Sequence, residues 1–144
     1  TNFGAVFAGL AGNYILNFDT RLSPTAPISD QLDLGVSRYT LRATLGAQIG
    51  AVNVVGFVNH RAGITSTYAT PTGTAVYNAH GYTTVDLRAT FRLPTSGWAS
   101  GTEGALIVND LFDRTPPFFP GTDGIGGAYN PIGRYVALNL RKSF

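Results

Sequence analysis

Strict alternation of apolar and polar side chains from Tyr82 to Leu93 fixes the fold class. Thr83, Val85, Leu87, Ala89, Phe91 and Leu93 form one series; Tyr82, Thr84, Asp86, Arg88, Thr90 and Arg92 form the other. A helix would mix the two series around its circumference. An extended strand sends them to opposite sides. Arg38 to Ile49 repeats the pattern, with Tyr39, Leu41, Ala43, Leu45, Ala47 and Ile49 against Arg38, Thr40, Arg42, Thr44, Gly46 and Gln48. The last segment, Arg134 to Phe144, sets Val136, Leu138, Leu140 and Phe144 against Tyr135, Ala137, Asn139, Arg141 and Ser143. Lys142 interrupts its apolar series near the end, where a long stem can carry the charge to a polar boundary.

Three further strands are predicted, over Gly4 to Arg21, Ala51 to Arg61 and Gly104 to Asp113. In the second of these, Val55 and Phe57 blur the facing. The six strands are joined by connections of alternating length. Residues 22–37, 62–81 and 113–133 are long and rich in Pro, Gly, Thr and Asn, and are read as loops. Ile49-Gly50-Ala51-Val52 reads as a tight hairpin, with Gly50 supplying a positive φ. Residues 94–103 are intermediate. Long loops at one end and short turns at the other are the asymmetry of outer-membrane barrels.

Composition agrees. Charged residues make up 12% of the 144, about half the usual share in soluble proteins, while glycines number 18. Strands that meet lipid on one side and water on the other have this character. The expected fold is therefore all-β, an antiparallel up-and-down transmembrane β-barrel of which these are about six strands. With the long loops outside, Phe91, Trp98 and Phe144 fall near the periplasmic interface and Phe18, Tyr39 and Phe112 near the outer one. Two such aromatic girdles belong to membrane barrels. The chain starts without Met or a signal peptide, which an exported protein must once have carried, so a mature form or a fragment is expected. The absence of Cys excludes disulfides and thiolate metal sites. A net charge of +2 with scattered basic residues gives no nucleic-acid partner.

Four stretches then carry a family resemblance. The closing run Asn130-Pro131-Ile132-Gly133-Arg134-Tyr135-Val136, continuing to Phe144, resembles the final strand of TonB-dependent outer-membrane receptors, with its P-x-G-R lead-in and terminal aromatic. Val108-Asn109-Asp110-Leu111-Phe112-Asp113-Arg114-Thr115-Pro116-Pro117 resembles the penultimate strand of that family, with Asp110 where Asn is usual. Gly81-Tyr82-Thr83-Thr84-Val85-Asp86-Leu87 resembles the strand before it, and Asp19 to Thr25 a loop start. The resemblance implies that residues 1–144 are the C-terminal part of a barrel of about 22 strands. It implies an N-terminal plug, a TonB-contacting segment and uptake of a scarce nutrient, such as a metal chelate or an oligosaccharide. No plug or TonB-contacting segment is recognisable here. The implied partners are outer-membrane lipid, the remainder of the barrel and its plug, the TonB complex and the barrel-assembly machinery, in a Gram-negative outer membrane.

Candidate residues follow from these readings. Arg38, Arg42, Asp86, Arg88, Arg92 and Arg141 share the polar series and would face the barrel interior. They would line a path for an anionic substrate or, more plainly, meet water and the plug and pair with one another. Tyr68, Tyr77, Phe118, Phe119 and Tyr129 lie in the long loops and are candidates for the substrate mouth. Val136, Leu138, Leu140 and Phe144 resemble the terminal signal read by the assembly machinery, and would face lipid in any case. His60 and His80 flank the 62–81 loop, but two His without a third ligand do not make a metal site. Asp110 and Asp113 have no nucleophile or base beside them, so no enzyme, cofactor or metal is expected. The glycine-rich run 121–127 lacks the Lys-Ser/Thr ending of a phosphate loop. Two other architectures are compatible with the length. One is a complete eight-stranded outer-membrane barrel with an adhesin or structural role. It needs two further strands within 62–81 and 113–133, against which Pro71, Pro116, Pro117 and Pro120 argue. The other is a soluble β-sandwich binding module, which predicts charged outer faces.

Overall fold

The computed structural model describes residues 4–32, 34, 36–93, 96–118 and 130–143, and every regular element among them is a β-strand. The strands are β1 (Ala5–Tyr14), β2 (Asp19–Thr20), β3 (Ser29–Asp30), β4 (Tyr39–Ile49), β5 (Val52–Arg61), β6 (Ile64–Thr70), β7 (Gly73–Ala79), β8 (Tyr82–Arg92), β9 (Thr102–Asn109) and β10 (Tyr135–Lys142). Six of them form one antiparallel sheet in the order β1-β4-β5-β8-β9-β10, while β2 pairs with β3 and β6 with β7. Order in this sheet follows order in the chain, which makes it a meander. Chain direction reverses at each step, so the strand ends that the connections after β1, β5 and β9 join all lie at one end. At the other end the β4–β5 turn is two residues, Gly50 and Ala51, with Gly50 at φ 59°.

Register turns the alternation of single strands into faces of the sheet. Ala8, Leu45, Gly56, Leu87, Val108 and Val136 stand opposite one another in one row across all six strands. Val6, Ala47, Val54, Ala89, Leu106 and Leu138 make a second row on the same face. Nothing among the described residues covers this apolar face: Leu10 is 77% exposed, Leu45 63% and Leu138 61%. Every contact between strands is with a hydrogen-bonded neighbour, so no second layer stacks on the sheet. Two glycines are filled by aromatic rings across the ladder. Phe7 lies where a side chain at Gly46 would be, and Phe91 does the same at Gly104.

The few buried apolar residues, Leu32, Ala62, Ile64 and Ala79, are not in the sheet. They sit where the connections 15–38 and 62–81 meet. Leu34 bridges to Thr65, and the buried Ser37 hydroxyl donates to the Ala62 carbonyl at 3.0 Å. The long connections therefore form a small packed cap over one end.

Three expectations are corrected. The first strand ends at Tyr14 rather than Arg21, and the chain beyond it turns so that Asp19 and Thr20 pair with Asp30 and Ser29. The strand expected to reach Asp113 ends at Asn109, because Asp110 takes φ 49° and cannot continue a ladder. Residues 62–81, read as a loop, contain the β6–β7 hairpin; Pro71 and Thr72 occupy its turn and so remove no ladder hydrogen bond. The sheet is also open among the described residues. β1 pairs only with β4 and β10 only with β9, so no closed barrel is formed by these strands.

Candidate functional site

The face opposite the apolar rows collects the polar series of every strand. Arg42, Asn59 and Thr84 stand in one row, and Thr44, Phe57 and Asp86 in the next. A chain of hydrogen bonds crosses three strands here. Arg42 Nε donates to Asn59 Oδ1 at 2.7 Å, and Asn59 Nδ2 donates to Asp86 Oδ2 at 2.8 Å. The backbone N–H of Asp110 donates to Asp86 Oδ1 at 2.9 Å. The Arg42 guanidinium also lies 5.0 Å from the Phe57 ring centre, a cation–π contact. That contact explains why an aromatic occupies the polar face of β5.

This network lines a cavity of about 750 Å³ at the long-connection end, with Asn13, Tyr82, Thr84 and Asn109 around it. Its charged side chains balance: Arg42 and Arg61 against Asp86 and Asp110. Asp110 is buried, and its Oδ1 has no hydrogen-bond partner. A second cavity, about 530 Å³, lies at the short-turn end and is lined by Arg88, Arg92 and Arg141 with Glu103 as the only carboxylate. Arg92 Nε meets Glu103 Oε1 at 2.8 Å, but both side chains are well exposed and the pair contributes little to stability.

Arg42, Asp86, Arg88, Arg92 and Arg141 thus share one face, in two clusters. Arg38 lies in the bend before β4, where its carbonyl accepts from the Ile15 N–H at 2.9 Å. His60 stands in the apolar series of β5, opposite Leu41 and Thr83. Its ring stacks 5.8 Å from Tyr39, and Nδ1 is 2.8 Å from Thr83 Oγ1. Tyr39 in turn stacks on Tyr14 at 6.4 Å. Tyr68 and Tyr77 lie on the same side of the β6–β7 hairpin, and Tyr77 meets Phe118 edge-to-face at 5.8 Å. Val136, Leu138 and Leu140 are exposed on the apolar face. Phe119, Tyr129, Phe144 and the glycine-rich run 121–127 lie outside the described residues.

The sequence reading passed over Asn59, the hub of the network, because Val55 and Phe57 blurred the alternation of β5. Counting parity back from Arg61 through Asn59 to Asn53 would have found it. It also missed a corner that ties the last two strands together. Asp113 Oδ1 accepts from the Arg134 N–H at 2.8 Å, and Oδ2 lies 3.7 Å from the Arg134 guanidinium. Gly133 is at φ 71°, and a Cβ there would stand 2.7 Å from Asp113 Oδ1. We expect Gly133→Ala to lower stability by about 1–2 kcal/mol from backbone strain, and further by displacing the carboxylate. Urea unfolding of the full-length protein reads this; an unchanged midpoint would exclude the strain.

No protein-family model matches this chain, and neither a curated protein nor a solved structure is found to be similar to it.

Proposed function

We propose that this chain is the C-terminal wall of a TonB-dependent outer-membrane transporter for a scarce nutrient, a metal chelate or an oligosaccharide. The observation that carries the reading is the apolar face: six strands wide, uninterrupted from Ala8 through Leu45 and Leu87 to Val136, and uncovered. In water such a face would be far larger than the apolar patches soluble monomers tolerate. Against lipid it needs no cover. The strand lengths fit as well, since β1, β4, β5 and β8 have 10 or 11 residues, enough to span the hydrocarbon layer at a tilt. Tyr14 and Tyr39 stand at the long-connection rim of the apolar face. Trp98 and Lys142 stand at the short-turn rim, where Lys142 Nζ donates to the Trp98 carbonyl at 2.6 Å. Interfacial aromatics and a snorkelling lysine suit those depths.

In this reading the apolar face meets lipid, and the polar face meets the plug and the transported nutrient. The edges β1 and β10 pair with the rest of the barrel. Val136, Leu138 and Leu140 present the strand read by the assembly machinery. TonB acts through the N-terminal part of the transporter. Two features weigh against the other architectures. The β6–β7 hairpin adds two strands, as an eight-stranded barrel would need, but β5 pairs directly with β8, so the hairpin stands outside the wall. A β-sandwich would cover its apolar face with a second sheet.

Site-directed labelling tests the reading, and the lack of Cys gives a clean background. Spin labels at positions 43, 45, 54 and 87 of the full-length protein in bilayers should be accessible to oxygen and shielded from a water-soluble nickel chelate. Labels at 44, 53 and 88 should show the opposite. Water accessibility at both sets would overturn it.

A further inference from the structure

We propose that the cavity at the long-connection end of the polar face binds a neutral, hydroxyl-rich ligand, an oligosaccharide, and not an anionic metal chelate. The inference rests on the reading of this face as the inside of a transporter. A site for an anionic chelate needs an excess of cationic groups to receive it. Here the cationic charge is matched by the carboxylates of the same lining. Arg42 is held by Asn59, which is held by Asp86, and its guanidinium lies on Phe57. Arg61 is likewise engaged. The two guanidinium groups face two carboxylates, and the unfilled capacity is an acceptor, Asp110 Oδ1, buried in the wall. Carboxylates in the lining repel a second anion.

The rest of the lining has the chemistry of a sugar's own hydroxyls. Asn13 and Asn109 each offer an acceptor and a two-hydrogen donor, and Thr84 offers a hydroxyl, while the Tyr82 hydroxyl donates to the Arg114 carbonyl at 2.6 Å. Paired groups of this kind match vicinal diols, which also donate and accept. Outside the lining, Tyr135 stands opposite Asn109 on the same face and is 52% exposed, so its ring offers a platform beside the cavity for the apolar side of a pyranose. A volume of about 750 Å³ lies within the range of ligand sites and admits several sugar rings. The cavity at the short-turn end differs, since three arginines there face one carboxylate. A cationic surface is therefore present on this sheet, but away from the long connections where a ligand from outside would first arrive.

The experiment is calorimetric titration of the full-length protein in detergent with maltohexaose, cellohexaose, xylohexaose and mannohexaose, and with ferric citrate as the anionic chelate. At least one neutral oligosaccharide should bind and ferric citrate should not compete with it. Asn13→Ala and Asn109→Ala should each weaken binding about tenfold, the effect of losing one or two hydrogen bonds. Neither side chain belongs to the Arg42–Asn59–Asp86 chain, and unchanged heat-modifiability on gels would show both variants folded. The proposal is overturned if none of the four sugars binds, if both variants bind as tightly as the parent, or if ferric citrate binds and the same variants weaken it. The labelling experiment judges the transporter reading independently: a protein with a lipid-facing apolar side that binds no sugar loses only the ligand assignment.

Discussion

Leu45→Arg should destabilise the protein by roughly 2–4 kcal/mol where its apolar face meets lipid as proposed. Leu45 lies in the middle of β4 and in the central apolar row, opposite Ala8 and Gly56. It is already 63% exposed in the sheet, so its loss leaves almost no cavity. In water the change would be a surface substitution, within about 0.5 kcal/mol of neutral. In a bilayer the same exposure means contact with hydrocarbon at mid-depth, and the guanidinium must be dragged from water or must thin the membrane around it. The neighbouring Thr44→Arg, on the polar face, should stay close to neutral. Urea unfolding of both variants, refolded as the full-length protein into lipid vesicles, measures the difference. Equal, small effects would place both faces in water and remove the membrane reading.

Residues 1–144 expressed alone should fail to refold in detergent as a monomeric, heat-resistant barrel. β1 and β10 each have one hydrogen-bonded neighbour among the described residues, so each leaves a row of N–H and C=O groups without partners. In hydrocarbon every such group costs several kcal/mol, because no water replaces the missing strand. In water the same edges, beside an apolar face six strands wide, template aggregation. Six strands also fall short of the roughly eight of the smallest single-chain barrels. Size-exclusion profiles, heat-modifiability and denaturant unfolding decide the matter. A monomer that unfolds cooperatively would favour a small self-closed barrel over the wall of a large one.

The wall strands were legible because their information is local. Alternation between Val85 and Asp86 or between Leu45 and Thr44 is written in adjacent residues, and it fixes both the extended backbone and the facing of each side chain. The errors fell where another rule competed. Pro71 argued against strands in 62–81, yet it sits in the turn, and Ser66, Tyr68 and Thr70 alternate with the exposed Thr67 and Ala69 up to that point. Phe112 extended the apparent alternation of β9 past Asp110, and only the left-handed backbone of Asp110 shows that the strand has ended.

By itself the sequence determined the strand class, the six sheet segments, the two faces of all but β5 and the unequal ends, since period-2 patterning and turn residues act over a few positions. Only the tertiary structure decided what meets across the ladders. Arg42, Asn59 and Asp86 are joined over distances of 17 and 27 residues in the chain. Asp113 reaches Arg134 across 21. Phe57 on the polar face meets the Arg42 guanidinium from the next strand at 5.0 Å. Such contacts depend on register, and register is set by turn length and by how all six strands align their apolar rows together. No single strand contains that information, so the site emerges only when the sheet is assembled.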